Sequence, residues 1–460
     1  MGKLVSDFIN TGNMGMLTDL YELAMCASYL HNDKTGPATF DLFIRKLPPN
    51  RSYFLFAGLE QVLLYLDNIE FQKSHLEYLR EQGFREEFLD YLRDFDFTGD
   101  VWAAPEGTVI FPNEPLIRVT GPIMEAQLVE TFLLNAVNIQ TMIATKASRV
   151  AQAAEGRSVV DFSLRRTHGT DAGMKVARAS YIAGCSGTSN VLAGMKYGIP
   201  IFGTMAHAFV ESFQREIDSF RAFARTFPEG TTLLIDTYDD LEATEKAAQV
   251  AKELEKDGYK MNGVRLDSGD LLTLSQKVRK KLDEEGLTYV KIFASGGLNE
   301  YKIKDLIEKG AQIDAFGVGT SMGTSDDYPS VDVVYKIAEK TMDGKFVPTM
   351  KLSENKMTLP GRKKIYRIKK NGKYHKDVIT LDDEEWDGEP LLVKAMEKGE
   401  VVCNPPALEE IRERALENLS LLPEKYKKFK DAPEYPVILS PKLKKTVERV
   451  KSKLKETQIG

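Results

Sequence analysis

The sequence predicts an α/β protein built around parallel βα units that fit a β/α barrel better than an open sheet. Three observations carry this. From about residue 158, short apolar runs recur: SVVDFSLR, GIPIFGTM, TTLLIDTY, NGVRLDSG, VKIFASGG and DAFGVGTS, with ASYIAGCSGT as a further candidate. Each ends in a loop rich in Gly, Asp, Ser or Arg. Helical patterns follow at 171–183, 189–196, 241–257, 271–286 and 300–310. Strands apolar on both faces that alternate with helices are the mark of a parallel sheet covered on both sides. Six or seven such units in about 170 residues match the density of a barrel.

The flanking segments read differently. Leu20, Leu23, Ala24, Ala27 and Leu30 fall at helical spacing behind Asp19, so 15–31 is expected as an amphipathic helix. ATFDLFIRKL reads as a strand before a PPN turn, and FLFAGLEQVLLYL as a second helix. Short charged helices are expected over 75–95. VWAAPEGTVIFPNEPLIRVTGP reads as short strands broken by Gly and Pro, and 125–154 as one long helix. After residue 340, FVPTMKLS, KKIYRIKK and YHKDVITL read as antiparallel strands with turns at DGK and NGK. A helix over 407–421 and a Lys-rich helix from 441 complete the chain. Val447 and Leu454 recur among the tail's charges, which favours a solvated helix face over a nucleic-acid or membrane arm. The expected segments are 1–140, a barrel over 141–340, and 341–460.

At 460 residues the chain is too long for one ordinary core, so two or three folding units are expected. A net charge of −6 gives no nucleic-acid footprint. Cys26, Cys185 and Cys403 are far apart and form neither a zinc pattern nor a disulfide framework, so a reducing, cytoplasmic setting is expected. The stretch MGKLVSDFIN lacks a basic region followed by an apolar run, so no signal peptide is expected. No run approaches the ~20 apolar residues of a membrane span.

In a β/α barrel, chemistry sits at the carboxyl ends of the strands. Those ends carry Arg165, Arg166 and His168; His207; Asp236, Tyr238, Asp239 and Asp240; Arg265, Asp267, Ser268 and Asp270; Ser295, Gly296 and Gly297; and Gly317, Gly319, Thr320 and Ser321. One glycine loop would be plain turn chemistry. Two in succession, SGG and GVGTS, point to phosphate, because their N–H groups allow close approach of its oxygens. Arg165 and Arg265 suit bidentate pairing with phosphate or carboxylate. Asp236 and Asp239 could hold Mg²⁺ through water, or steady positive charge developing on a sugar. Of five histidines only His168 and His207 fall at strand ends, and position does not rank them. A histidine beside a triphosphate could accept a phosphoryl group.

The runs TDLYELAM, FDLFIRKLPPNRSYFLFAGLE, DFSLRRTHGTDAG, SGTSNVLAG, GTMAHAFVESF, IDTYD, GVRLDSGDL, FASGGLNE and FGVGTSMGTS together resemble the motif series of nicotinate phosphoribosyltransferases, in family order over roughly residues 15–335. The resemblance implies an incomplete TIM-like β/α barrel plus an α/β sandwich domain built from N- and C-terminal segments. It implies formation of nicotinate mononucleotide and pyrophosphate from nicotinate and 5-phosphoribosyl 1-diphosphate, with Mg²⁺. ATP serves as co-substrate, coupled through a phosphohistidine, as a ligase-class glycosyl transfer. By resemblance the phosphohistidine is His207, and Arg265, Asp267 and Asp236 complete the catalytic set. Tyr21 resembles the tyrosine that covers the pyridine ring from the neighbouring subunit of a homodimer. Thr204 and Ser189 resemble nicotinate contacts, and Arg165 and Arg265 resemble ligand-binding arginines. Ser295, Gly296, Gly297, Gly319 and Thr320 resemble the sugar-phosphate pocket.

Two positions depart from the family pattern. His168 stands where the family often has another residue, and Ala208 follows His207 where many members carry a hydroxyl, which puts the hydrogen bonding of the imidazole in question. Rival readings are a nicotinamide phosphoribosyltransferase, disfavoured because Ser189 stands where an acidic residue would read the carboxamide, a quinolinate phosphoribosyltransferase, and a non-catalytic phosphosugar-binding barrel. An isomerase or aldolase barrel would need a Lys or Glu at a strand tip, and the six tips carry none.

Overall fold

The computed structural model describes residues 8–353 and 356–458; the opening MGKLVSD, on which part of the signal-peptide reading rests, lies outside them. Two compact units are present. One is Met142–Pro329; the other joins the residues through Thr141 to those from Ser330 onward.

In the Met142–Pro329 unit, six parallel strands pair in the order Gly187–Thr188, Ser158–Asp161, Ala315–Val318, Lys291–Ala294, Gly263–Leu266 and Thr232–Leu234. The first full strand therefore pairs with the last, which is the connection of a barrel and not of an open doubly wound sheet. GIPIFGTM contributes only a single parallel bridge, Ile201 to Thr188. Among the described residues nothing pairs Ile201 with Thr232–Leu234, so the barrel is incomplete there. Val159, Val160, Leu234, Val264, Leu266, Ile292, Phe316 and Val318 are buried, as expected for strands covered on both faces.

The helices Thr170–Ile182, Val191–Tyr197, Asp240–Lys256, Leu271–Glu284 and Glu300–Glu308 fall close to their expected bounds. Two more, His207–Glu211 and Glu216–Thr226, were not expected. They lie in one insertion between the Ile201 bridge and the next strand, which a one-helix-per-strand template passes over. Glu216–Thr226 is held to Asp240–Lys256 by Arg221–Glu253 (2.7 Å) and Lys246–Glu216 (2.9 Å).

Glu300 opens the helix after the SGG loop and is fully buried. Its carboxylate lies 2.7 Å from Lys146 Nζ and 3.1 Å from Arg149 Nε, both also buried, and Lys146 reaches Asp327 at 2.9 Å. Lys146 and Arg149 sit on the long helix Glu130–Ala153.

The other unit is built from both chain ends. A seven-stranded antiparallel sheet runs Lys345–Pro348, Val333–Met342, Pro37–Ile44, Ile117–Pro122, Asp100–Ala103, Val393–Glu397 and Glu400–Val401. A four-stranded sheet holds Glu389–Pro390, Lys363–Lys370, Lys373–Leu381 and Val437–Leu439. Lys363 joins the two sheets through Asp41 at 2.7 Å. Asp343–Gly344 and Asn371–Gly372 all have positive φ, the requirement of two-residue type I′ hairpins, so DGK and NGK turn as expected. In the tail helix Pro441–Gln458, Leu443, Val447 and Val450 pack on Met350 and Ile379 while most of its lysines face solvent.

Three boundaries differ from the expectation. Residues 330–340 do not belong with the barrel, because Val333–Met342 pairs along Pro37–Ile44. FLFAGLE begins as the strand Phe54–Leu55, and its helix starts only at Leu59. Gly58 sits between them at φ +113°, where a Cβ would lie 2.7 Å from the Ala136 carbonyl. The long helix is split into Ile123–Leu128 and Glu130–Ala153. No helix among the described residues is long and apolar enough to cross a membrane.

Two predictions follow from buried charge. Glu300→Gln leaves Lys146 and Arg149 with an uncompensated charge, so the urea midpoint of the Met142–Pro329 unit is expected to fall by the equivalent of about 3 kcal/mol; an unchanged midpoint would refute the structural role. Glu22 is fully buried and accepts hydrogen bonds from Thr18 and from Thr131 (2.8 Å). Burial, aided by Glu130, pushes its carboxyl up to about 7. A folded-state value above the unfolded one means that its contribution is complete below the ordinary carboxylate range and is lost as pH rises through about 7. Glu22→Gln should therefore flatten the fall in Tm between mildly acidic and mildly alkaline pH.

Candidate active site

Each strand of the barrel ends in a polar turn, and hydrogen bonds tie neighbouring turns together. At the end of Ser158–Asp161, Asp161 is buried. It accepts from the Ser163 N–H (2.9 Å), the Ser163 hydroxyl (2.5 Å) and the Thr188 hydroxyl (2.8 Å). Burial pushes its carboxyl up, and these donors pull it back. The turn they shape carries Arg165 and Arg166 out to the exposed rim.

The loop after Lys291–Ala294 is fixed by close packing. Ser295 donates to Asp267. Gly296 has φ +90°, and a Cβ there would sit 1.8 Å from the Asp267 carbonyl oxygen, so only glycine fits. Gly297 is also left-handed, at φ +59°. In the next loop Gly319 precedes the short helix Thr320–Thr324, and Gly323 packs so closely that its Cβ would lie 2.2 Å from Ser163 Cβ.

These turns enclose a cavity of about 370 Å³. Arg165, Asp267, Ser295, Gly296, Gly297, Gly319 and Thr320, all selected from sequence, line it, together with Phe162, Arg166, Lys302, Ser321 and Asp326. Asp267 links this cavity to a second group. Its N–H donates to Asp236 Oδ2 (3.0 Å), which also accepts from the Ser268 hydroxyl (2.7 Å). Arg265 donates from Nη1 to the Thr204 hydroxyl (2.5 Å), while its buried Nε has no partner among the described residues. Burial lowers the pKa of this guanidinium, Asp267 and Asp236 oppose that, and Arg165 adds to it. Arg265 is a partly desolvated cation whose buried Nε–H is unspent.

The matched families decide what this rim belongs to. Residues 16–138 match the nicotinate phosphoribosyltransferase N-terminal domain, 157–379 the nicotinate phosphoribosyltransferase family and 385–447 its C-terminal domain. The chain belongs to the nicotinate phosphoribosyltransferase family. It is 46% identical over 431 residues to a nicotinate phosphoribosyltransferase of Mycobacterium tuberculosis, covering 93% of this chain and 92% of that one. It is 41% identical to the Bacillus subtilis nicotinate phosphoribosyltransferase, covering 93% of each. The crystal structure of human nicotinic acid phosphoribosyltransferase superposes with a TM-score of 0.84 at 28% identity, over 94% of this chain and 99% of that one.

Other positions drawn from the nicotinate phosphoribosyltransferase motifs lie outside the cavity lining. His207 is half-buried at the start of His207–Glu211, with Nδ1 3.1 Å from the Thr237 hydroxyl. The imidazole beside Ala208 thus has a hydroxyl within reach from the IDTY strand tip. Ser189 is half-buried and donates its N–H to the Asp161 carbonyl (2.9 Å). Tyr21 lies in the other unit, half exposed on Leu20–His31. His168 is exposed. Asp239 Oδ1 caps Asp240–Lys256, accepting from the N–H groups of Leu241 (3.0 Å) and Glu242 (2.9 Å). The neighbouring Asp240 keeps a buried Oδ1 without a partner among the described residues, and burial followed by repulsion from Asp236 raises its pKa.

Sequence reasoning missed Lys302, Asp326, Thr237 and the distinction between Asp239 and Asp240. For Lys302 a signal was available, since it lies one helical turn beyond SGGLN, close to the glycines it serves. Gly296→Ala forces a backbone clash, and overpacking of this kind costs about 1–3 kcal/mol. We expect a lower Tm and a loss of phosphosugar binding by calorimetry; wild-type binding in this variant would contradict the close packing described.

Proposed function

We propose that this chain forms nicotinate mononucleotide and pyrophosphate from nicotinate and 5-phosphoribosyl 1-diphosphate, a salvage step of NAD biosynthesis, with ATP hydrolysis coupled through phosphorylation of His207. The observation that supports it most is the convergence of both glycine loops and Arg165 on one cavity, which Asp267 connects to the Asp236, Arg265 and Thr204 group. In this reading the 5′-phosphate lies against Gly296, Gly297, Gly319 and Thr320. The nicotinate carboxylate takes the spare N–H of Arg265 beside Thr204, with Ser189 offering no like charge to repel it. The pyridine nitrogen attacks the anomeric carbon with its lone pair, the carbon–oxygen bond to diphosphate breaks, and that electron pair leaves with pyrophosphate. No proton is removed. Asp236 and Asp267 stabilise the positive charge that develops on the sugar.

Mg²⁺ fits the residues present. Asp236 and Asp240 each hold a buried carboxylate oxygen without a donor, and they repel one another. Among the described residues no three His, Cys, Asp or Glu side chains surround one metal position, which suits an ion held by one or two carboxylates and the substrate's phosphates. Asp236 with Asp240 would hold it, and Asp239 is left to its capping role. When bound, the ion supplies charge neutralisation for the departing diphosphate.

At His207 this reading requires the tautomer in which Nδ1–H donates to Thr237, so that the Nε2 lone pair is the nucleophile toward the terminal phosphorus of ATP, with ADP as leaving group. The added charge then alters ligand affinity. Exposed Val191, Leu192, Met195, Ile201 and Phe202 on the barrel unit, and Leu17, Leu20 and Tyr21 on the other, support a homodimer in which Tyr21 serves the neighbouring site.

Pyrophosphate release from nicotinate, phosphoribosyl diphosphate and Mg²⁺, with and without ATP, tests the reading. Nicotinate should far exceed nicotinamide in kcat/KM; the reverse preference would overturn the acid assignment, and binding without turnover would favour the regulatory barrel. His207→Ala should lose stimulation by ATP, and full stimulation in that variant removes the phosphohistidine role. Mixing Tyr21→Ala with His207→Ala subunits should restore ATP-stimulated turnover if Tyr21 acts across a dimer, and should restore none if it acts within its own chain.

A further inference from the structure

The helix that follows the SGG loop cannot offer its own N-terminus fully to a phosphate. Asn299 Oδ1 accepts from the N–H groups of Tyr301 (3.1 Å) and Lys302 (2.9 Å), so two of the first free amides are already used. The helix also begins with a buried carboxylate, Glu300. The loop's glycine amides remain, yet a phosphomonoester carries close to two negative charges near neutral pH. Charge must come from side chains.

Three cations line the cavity: Arg165, Arg166 and Lys302. The arginines come from the tip of Ser158–Asp161; Lys302 alone comes from the glycine-loop side. Its ammonium donates to the Gly297 carbonyl at 2.7 Å, and it has no carboxylate partner among the described residues. The two acids lining the same cavity are already engaged, Asp267 by the Ser295 hydroxyl and Asp326 by the Ser321 hydroxyl at 2.9 Å. An ammonium with three donors, held on one neutral carbonyl, keeps two donors for an anion.

We propose that Lys302 is a phosphate-binding residue of the sugar-phosphate subsite, resting on the Gly297 carbonyl and extending its ammonium to a phosphate oxygen when the phosphosugar binds. This rests on the phosphoribosyl reading given above. Lys302 then supplies at the SGG loop the positive charge that the capped helix end withholds. The Gly297 carbonyl holds the side chain over the loop, so little conformational freedom is lost on binding.

The test compares wild type, Lys302→Met and Lys302→Arg. Pyrophosphate release is measured against phosphoribosyl diphosphate and against nicotinate, and ribose 5-phosphate binding is measured by calorimetry. Loss of a charged hydrogen bond predicts that Lys302→Met raises KM for phosphoribosyl diphosphate by about 10- to 100-fold and weakens ribose 5-phosphate by a similar factor. The KM for nicotinate should not follow, and Lys302→Arg should recover much of the loss. Wild-type affinity for ribose 5-phosphate in Lys302→Met overturns the assignment. A fall in Tm and kcat with both KM values moved alike also overturns it, because a mere clamp on the loop would behave so. If wild type neither turns over nor binds ribose 5-phosphate, the phosphoribosyl reading fails and takes this assignment with it.

Discussion

The buried carboxylate of Glu300 is the constraint on which the site's geometry depends. It meets Lys146 and Arg149 with all three side chains removed from water. Such a cluster brings little net stability, because desolvation offsets attraction, but breaking it is costly and so it permits one arrangement. Glu300 follows the SGG loop directly, and Lys146 also grips Asp327 just beyond the GVGTS turn. Both glycine loops are therefore anchored to the same helix, Glu130–Ala153. Their spacing is thus set by folding.

Sheet order explains which tips cooperate. Ser158–Asp161 lies beside Ala315–Val318, so Arg165 and the GVGTS turn meet although some 150 residues separate them. Thr232–Leu234, Gly263–Leu266 and Lys291–Ala294 are consecutive neighbours, and the hydrogen bonds Asp236–Asp267–Ser295 repeat that order across the rim. Thr232–Leu234 is also the edge where the barrel fails to close. Thr237, three residues past that edge, holds His207. The unclosed seam thus leaves the histidine half-buried, apart from the lining of the glycine-loop cavity.

The repeating part of this architecture was legible. Apolar runs with polar tips located the barrel strands, although GIPIFGTM forms only one bridge, Ile201 to Thr188. The helices at 207–211 and 216–226 escaped because they belong to an insertion and not to the repeat. At the site, residue type and position brought Arg165, Asp267, Ser295 and the glycines together. What could not be read was division of labour. Asp239 and Asp240 are equivalent in sequence, and only the helix start decides that Asp239 caps while Asp240 keeps an unused oxygen. Thr237 became visible only when its hydroxyl was found beside His207 Nδ1.

The two halves of the rim use charge in opposite ways. Around the glycine loops, the cations Arg165, Arg166 and Lys302 stand at an exposed rim and keep their water. Around Arg265 the guanidinium is half-buried, with Thr204 and Asp236 as its polar company. The Nε of that guanidinium has no partner among the described residues, which suits a planar anion as the group it would meet. Asp267 belongs to both halves, through its side chain on one side and its backbone on the other. One hydrogen-bonded chain, Asp236–Asp267–Ser295, therefore ties the two halves of the rim together and orders the strand tips.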